Sequence, residues 1–395
     1  MATTLRDPIH GGIRLDDWVI PIVDHPEFQR LRRIHQLGTA QLVYPGAHHT
    51  RFEHSLGAYH LAGRFADALD LDEDEALTVR AGALLHDIGH GPFSHAFEEL
   101  LHDTGRKHED TTVDLVRWGP LGDLLRQGGI DPVAVSELVM GRGPLAKVVS
   151  GALDADRMDY LLRDAHYTGV KTSVDADRLL RVLERDETHG TLLRESGVLS
   201  AESLLTMRFL MYPAVYLHHT VRASERMLQA AILAGVEDGG LRLRDLERDT
   251  DDQLLWRLRQ IDGRAADLVQ GLDRRRLHKR AWELHPTDRA DAETLSNDPH
   301  ARDAVATRIA EAAGVDPRDV LFDAPRQPRF KELDLRVLRR SGDVVPLREA
   351  SQLVASLDAA RFDHWRFWVF TPKQHVDAVR QAAARELGAP DAPLK

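Results

Sequence analysis

Ala83-Leu84-Leu85-His86-Asp87-Ile88-Gly89-His90-Gly91-Pro92-Phe93-Ser94-His95 sets an adjacent His-Asp pair at the end of an apolar helical run. Neighbours at i and i+1 on a helix point about 100° apart and rarely share one task. A metal ion between them is one of the few things that uses both. The pair has an upstream companion, His54 in Arg51-Phe52-Glu53-His54-Ser55, and a downstream one, Asp156 in Asp154-Ala155-Asp156-Arg157-Met158-Asp159-Tyr160. Two imidazoles and two carboxylates suit one divalent ion, Mn, Fe, Mg, Ni, Co or Zn. Four protein ligands leave octahedral positions open for water and a substrate oxygen. With 21 His in the chain, a His-Asp dipeptide alone says little, and a lone buried His is more often hydrogen-bonded in a core. The context carries the reading: an apolar helix, a Gly-rich break after it, and separate His and Asp companions.

The rest of the composition limits what such a site can be. Apolar residues make up 43% of the 395, enough for one large domain and a smaller one, and charged residues make up 29%. The formal charge of −11 disfavours passive adhesion to nucleic acid or anionic membrane, though not a local basic pocket for a small polyanion. There is no Cys, so disulfides and thiolate metal sites are excluded and any metal must use His and carboxylate. No run is long and apolar enough to read as a membrane span, and Met1 to Asp7 has no apolar secretion segment. The expectation is a cytoplasmic protein.

Along the chain, residues 7 to 15 read as a short hairpin bent at paired glycines. Helical spacing follows over 26 to 37, 54 to 71 and 73 to 87, the last opening on acidic residues as the helix dipole favours. Further helices fit 94 to 102, 108 to 117, 131 to 139, 144 to 150 and 154 to 165. Residues 201 to 235 read as one helix, kinked near Pro213, and 251 to 283 as one or two more. After about residue 285 strand-like runs appear at 319 to 322, 335 to 338 and 365 to 370, before a helix over 373 to 387 and a frayed Pro-rich tail. The fold class is mostly α: a helical body over 1–285 with a small C-terminal α+β appendage over 286–395.

An ordered series of motifs extends the His-Asp reading: Asp7-Pro8-Ile9-His10-Gly11, Phe28-Gln29-Arg30-Leu31-Arg32, Gln36-Leu37-Gly38, Tyr44-Pro45-Gly46-Ala47, Arg51 through Gly57, His86 through His95, Lys107-His108-Glu109, and Asp156 through Asp164. Over roughly residues 5 to 285 this series resembles the HD-domain phosphohydrolases, and within them the deoxynucleoside triphosphate triphosphohydrolases of the SAM-and-HD-domain type. The resemblance implies an HD-domain body and an H…HD…D metal set, here His54, His86, Asp87 and Asp156. It implies that His95 acts near the scissile 5′-oxygen with Glu98 as its acidic partner. It places His90, His108 and Arg51 beside the phosphates. Gln36, Leu37 and Asp164 would surround the sugar 3′-hydroxyl, Tyr216 the sugar face, and Arg208 and Tyr160 the phosphate tail. Arg157 stands where a Lys contacts phosphate in the animal enzyme; Arg keeps the charge but is bulkier and forked.

Spacing gives separate support. Asp156, Tyr160 and Asp164 lie at i, i+4 and i+8, so one helix face presents all three. Arg208, Tyr212 and Tyr216 repeat the spacing, with Tyr212 read as core. The densest positive run, Arg274-Arg275-Arg276-Leu277-His278-Lys279-Arg280, is either a solvated helix face or a second nucleotide site at a subunit contact. In regulated relatives, positions matching Asp24, Gln29 and Arg32 bind an activating guanine nucleotide, with basic residues like Arg275 and Lys279 on its phosphates. The leading functional expectation is a nucleotide substrate, a dNTP cleaved to deoxynucleoside and triphosphate, in a homo-oligomer (dimer or tetramer) with a nucleotide activator. The alternative is a phosphatase or phosphodiesterase acting on a nucleoside mono- or diphosphate or a cyclic nucleotide. A third, from another class, is a nucleotide sensor without turnover. No membrane or nucleic-acid partner is expected.

Overall fold

The computed structural model describes residues 3–171, 174–186, 188–238, 240–329, 333 and 335–388. The protein is mostly helical with small sheets. It divides into two compact units that interleave along the chain: Met1–Met211 with Leu243–Leu254 and Phe330–Asp358, and Tyr212–Arg242 with Leu255–Arg329 and Ala359–Lys395. This division runs differently from a single cut at residue 285. No described helix is long and apolar enough to cross a membrane.

The first unit opens on a hairpin, β1 (Thr3–Asp7) and β2 (Gly11–Leu15), paired from Thr3↔Leu15 to Asp7↔Gly11. The bend is Pro8-Ile9-His10, and the glycines expected there instead begin the return strand, Gly11 with φ +74°. The helices that carry the site follow. They are α1 (Arg51–Ala68), α2 (Glu73–Leu85), the single turn α3 (His95–Glu98), α4 (His108–Trp118), α5 (Pro132–Val139), α6 (Ala155–Thr168) and α7 (Val198–Met211).

Their ends are set locally. The Glu53 side chain accepts the Thr50 backbone N–H at the start of α1, and Asp72 and Glu75 cap α2 reciprocally. Asp154 accepts the Arg157 N–H at 2.6 Å to start α6, and Gly169, with φ +78°, ends it. One apolar face of α2, with Ala81, Leu84, Leu85 and then Ile88, packs with Phe28, Leu31, Phe52, Leu56 and Val116 in the core. That burial fixes the end of α2, where His86 and Asp87 emerge. Gly89 then lets the chain pass α4, since a Cβ there would lie 2.2 Å from the His108 carbonyl oxygen and 2.6 Å from the Thr112 nitrogen.

The run at 335 to 338 is a strand, Arg336–Leu338, but it belongs to the first unit. It pairs parallel to Gly190–Arg194 in the sheet Leu183–Asp186, Gly190–Arg194, Arg336–Leu338, Val344–Pro346.

In the second unit, helices that include His219–Glu237, Pro299–Ala313 and Val376–Leu387 accompany an antiparallel sheet ordered Lys279–Leu284, Phe367–Thr371, Leu321–Asp323. Trp282, Phe322, Phe367, Val369 and Ile309 form its core. Two expectations are corrected. The single helix over 201 to 235 is broken: it stops at Met211, passes through a π turn at Tyr212–Tyr216 and resumes at His219. Pro213 has no N–H to continue the ladder. Residues 279 to 283 are strand, not helix, because they pair with Phe367–Thr371. The tail from 389 on lies outside the described residues.

Candidate metal centre and its surroundings

His54 stands on α1, His86 and Asp87 at the end of α2, and Asp156 in the first turn of α6. The structure brings the four together. His54 Nε2 lies 3.2 Å from His86 Nε2, 3.2 Å from Asp156 Oδ1 and 3.5 Å from Asp87 Oδ2. His86 Nε2 lies 3.3 Å from Asp87 Oδ1 and 3.5 Å from Asp156 Oδ1. Donors bound to one ion at about 2.1 Å sit about 3 Å apart, so these separations fit a shared metal.

The tautomers point the same way. His54 Nδ1 faces Asp159 Oδ2 at 2.8 Å and His86 Nδ1 faces the Ala83 carbonyl at 2.8 Å. Both partners can only accept, so each Nδ1 carries the hydrogen and each Nε2 presents a lone pair. Two lone pairs and two carboxylates then face one point, an arrangement that calls for a cation. With no ion bound, the carboxylates facing this point hold a proton on the His54 ring, and a bound cation would take that proton's place. Burial alone would depress His54, yet hydrogen bonds to Asp156 and Asp159 raise it to about 10. Burial would raise Asp156, but His54 and His86 hold it well below the usual carboxylate range. Burial would likewise raise Asp87, and Arg51 with the neighbouring imidazoles lowers it.

A second group of imidazoles adjoins this one. His90 Nε2 lies 3.3 Å from Asp87 Oδ1, and the His90 ring stacks on His108 with centroids 3.8 Å apart. Glu98 accepts from His95 Nδ1 at 3.0 Å and from both the ring Nδ1 and the backbone N–H of His108, at 2.9 and 3.2 Å. The sequence pairs Glu98 with His95 alone; in the structure it orients two rings. Despite burial, those two histidines keep the Glu98 carboxyl far below its ordinary range. Burial, then the nearby Arg51 and His108 charges, keep His90 neutral, and its Nδ1 is buried with no hydrogen-bond partner among the described residues.

Other expected residues fall as follows. Arg51 is buried and directs Nη1 to Asp87 and Nε to Ser94 Oγ at 2.6 Å, so two of its donors hold protein groups. Arg157 Nη1 engages the Gly151 carbonyl and lies 3.2 Å from Asp154. Tyr160 meets His54 edge-on, centroids 6.4 Å apart, and its hydroxyl accepts from Arg208 Nη1 at 3.4 Å. Asp164 is buried and accepts from His49 Nε2 at 2.8 Å, while His49 stacks on Tyr167. Gln36 donates its backbone N–H to the His49 carbonyl, and its side-chain Oε1 is buried without a hydrogen-bond partner among the described residues, as is His49 Nδ1. Leu37 is half-buried beside it.

Tyr216 lies in the second unit on the π turn, so the helical spacing that linked it to Arg208 does not hold. Gln29 and Arg32 are bonded, Arg32 Nε to Gln29 Oε1 at 2.8 Å, and Asp24 ends a short helix nearby in the sequence. Arg275 and Lys279 are exposed in the second unit, where Lys279 lines a cleft of about 770 Å³ with Arg264, Arg276, Arg318 and Lys373.

Asp251 was not anticipated. Its Oδ1 accepts the Phe93 N–H at 2.6 Å and its Oδ2 accepts the His35 N–H at 2.9 Å and His35 Nδ1 at 2.7 Å. Phe93 and Ser94 both hold positive φ, +54° and +55°, a strained pair immediately before His95. Asp251 pins that pair. Asp251→Ala should lower stability by about 1–3 kcal/mol for each buried N–H left unsatisfied. It should also lower kcat, through a displaced His95. The hydrogen bond to Asp251 raises the His35 pKa. A raised folded pKa gives stability that is full below the ordinary His value and is lost as pH rises through the folded one. The melting-temperature gap between wild type and Asp251→Asn should therefore shrink with rising pH. A gap that widens would contradict the pairing.

Comparison with known proteins places these groups in context. Residues 51–120 match the model of the HD domain, and residues 174–393 that of the HD associated region. An uncharacterized protein of Methanocaldococcus jannaschii is 34% identical over 392 residues, covering 95% of this chain and 81% of that one. The deoxynucleoside triphosphate triphosphohydrolase SAMHD1 homolog of Dictyostelium discoideum is 32% identical over 253 residues, covering 58% of this chain and 48% of its own. The crystal structure of a phosphohydrolase from Bacteroides thetaiotaomicron superposes with a TM-score of 0.77 at 26% identity, covering 94% of this chain and all of that one (100%).

Proposed function

The chain belongs to the HD-domain phosphohydrolases, and on that premise we propose that its substrate is a deoxynucleoside triphosphate, cleaved to deoxynucleoside and triphosphate. The observation that carries the choice is a pair of buried acceptors, Gln36 Oε1 and His49 Nδ1, without hydrogen-bond partners among the described residues, on two residues joined through the backbone, of which His49 also bonds Asp164. Buried acceptors of this kind call for a donor, and a sugar 3′-hydroxyl is one. Asp156, Tyr160 and Asp164 stand on successive turns of α6, about 12 Å from first to last at 1.5 Å per residue. That span suits a sugar at one end and the scissile phosphate at the other. The relative named for triphosphohydrolase activity supports the reading.

A bound divalent ion supplies a polarised phosphoryl oxygen and an activated water. The chain's own groups do the rest. His108, whose proton Glu98 favours against the effect of burial, faces the phosphates. His95, with Nδ1–H on Glu98, presents Nε2 to the leaving 5′-oxygen and gives it a proton. Tyr160 and Arg208 meet the phosphate tail. We include in the proposal a homo-oligomer and an activating nucleotide at the Asp24, Gln29 and Arg32 group.

The engagement of Arg157 by Gly151 and Asp154 favours a second reading, because it withdraws one phosphate contact and suits a shorter phosphate chain. That reading is a phosphatase or phosphodiesterase on a nucleoside mono- or diphosphate or a cyclic nucleotide. A panel of dNTPs, NTPs and NMPs with Mn, Mg, Fe, Co and Ni, resolved by anion exchange, separates the two. Intact triphosphate from dNTPs is the expected product. Inorganic phosphate alone, or equal cleavage of NTPs, would replace the first reading with the second, and no turnover with any substrate would leave a sensor.

A further inference from the structure

Asp7-Pro8-Ile9-His10-Gly11 has no part in the chemistry above. It forms the turn of the N-terminal hairpin. Asp7 Oδ1 accepts the backbone N–H groups of Ile9 and His10, at 2.9 and 2.8 Å, and so fixes the turn. Asp7 Oδ2 accepts Arg163 Nη1 at 2.9 Å. His10 then reaches 149 residues along the chain, its Nε2 lying 2.6 Å from Asp159 Oδ1.

Asp159 is fully buried and its carboxylate is surrounded by donors. Arg163, one turn on in α6, grips both oxygens with Nε and Nη2, each at 2.9 Å. His10 takes Oδ1, and His54 Nδ1 takes Oδ2 at 2.8 Å. The approach of α6 to α1 that permits this depends on Gly57, one turn after His54. A Cβ at 57 would lie 1.8 Å from Asp159 Oδ1 and 2.6 Å from Arg163 Nη2. A histidine ligand whose second nitrogen donates to a carboxylate has its tautomer and ring plane fixed. Here the carboxylate is itself fixed, from one side by its own helix and from the other by the hairpin.

We infer that Asp159, held by Arg163 and by His10 of the hairpin turn, is a positioning residue that keeps His54 Nε2 aimed at the metal, so that the N-terminal hairpin helps set metal affinity. This rests on reading His54, His86, Asp87 and Asp156 as the ligands. Arg163 grips both oxygens of Asp159, so His10 contributes the smaller share; His10 is the hairpin's direct contact with Asp159, while Asp7 reaches it through Arg163.

The test is calorimetric titration of Mn into the full-length, metal-stripped protein, with the melting temperature of the stripped form measured beside it. Asp159→Asn should weaken Mn binding about 10–100-fold, the usual scale for a partner of this kind. His10→Ala should weaken it less, by about 10-fold or below, and His10→Gln, which keeps a donor at the place of Nε2, should restore most of the loss. Unchanged Mn affinity in both Asp159→Asn and His10→Ala would overturn the inference. So would equal losses in His10→Ala and His10→Gln with a lowered melting temperature, since the hairpin would then act through folding alone. Should Asp159→Asn fail to fold, the His10 pair decides. Asp156→Ala run alongside must abolish Mn binding; if it does not, the ligand assignment itself is wrong, which is a different failure.

Discussion

Asp87→Ala should lose its divalent metal and its turnover together, falling to the rate of the uncatalysed reaction. Asp87 is the proposed ligand with most of the site leaning on it. One oxygen faces His86 Nε2 and His90 Nε2, each at 3.3 Å, and the other faces His54 Nε2 at 3.5 Å and Arg51. Removing the carboxylate leaves Arg51 buried without its counter-charge, a change of about 3–5 kcal/mol in its own right. A loss of activity in Asp87→Ala must therefore be separated from a loss of fold. Asp87→Asn does this. It keeps the volume and one acceptor for Arg51 but presents a neutral amide to the ion. Both variants should lack metal by elemental analysis, and Asp87→Asn should keep the helical circular dichroism of the wild type. Full activity in Asp87→Asn would remove Asp87 from the metal set. Chelation of the wild-type protein should reproduce the loss, and added Mn should reverse it.

The grouping of His54, His86, Asp87 and Asp156, proposed to hold a metal, was legible in the sequence because each residue sits in a local pattern. His86 and Asp87 end an apolar helix, His54 follows an Arg-Phe-Glu opening, and Asp156 opens a helix capped by Asp154. The strands at 321–323, 336–338 and 367–371 were legible from β-branched and aromatic content. What was not legible depends on contacts remote in sequence. Asp251 meets Phe93 and His35 across 158 and 216 residues, and His49 meets Asp164 across 115. No spacing rule reaches that far. Lys279–Leu284 takes in the end of the basic run 274–280, which reads as a solvated helix face, and only pairing with Phe367–Thr371 makes it a strand. The positive φ of Phe93 and Ser94 is invisible in residues that seldom adopt it.

His95→Ala should lower kcat by about 10²–10⁴, the range for loss of a general acid, while metal content and KM stay near the wild-type values. The geometry motivates the split. The His95 side chain is 72% exposed, in contrast to the buried rings around the metal, so its removal disturbs no core and no ligand. Its Nδ1 is held by Glu98, which leaves Nε2 as the one atom able to carry a proton to a leaving group. Glu98 also holds His108 through the ring and the backbone. Glu98→Gln should therefore do more than His95→Ala: it should lower kcat through His95 and raise KM through His108, whose charge depends on that carboxylate. Combining the two substitutions should cost less than the product of the single losses, because both act on the same proton transfer. If His95→Ala instead raised KM at unchanged kcat, His95 would be a phosphate-binding residue. The proton would then have to come from His108, the other imidazole that Glu98 orients.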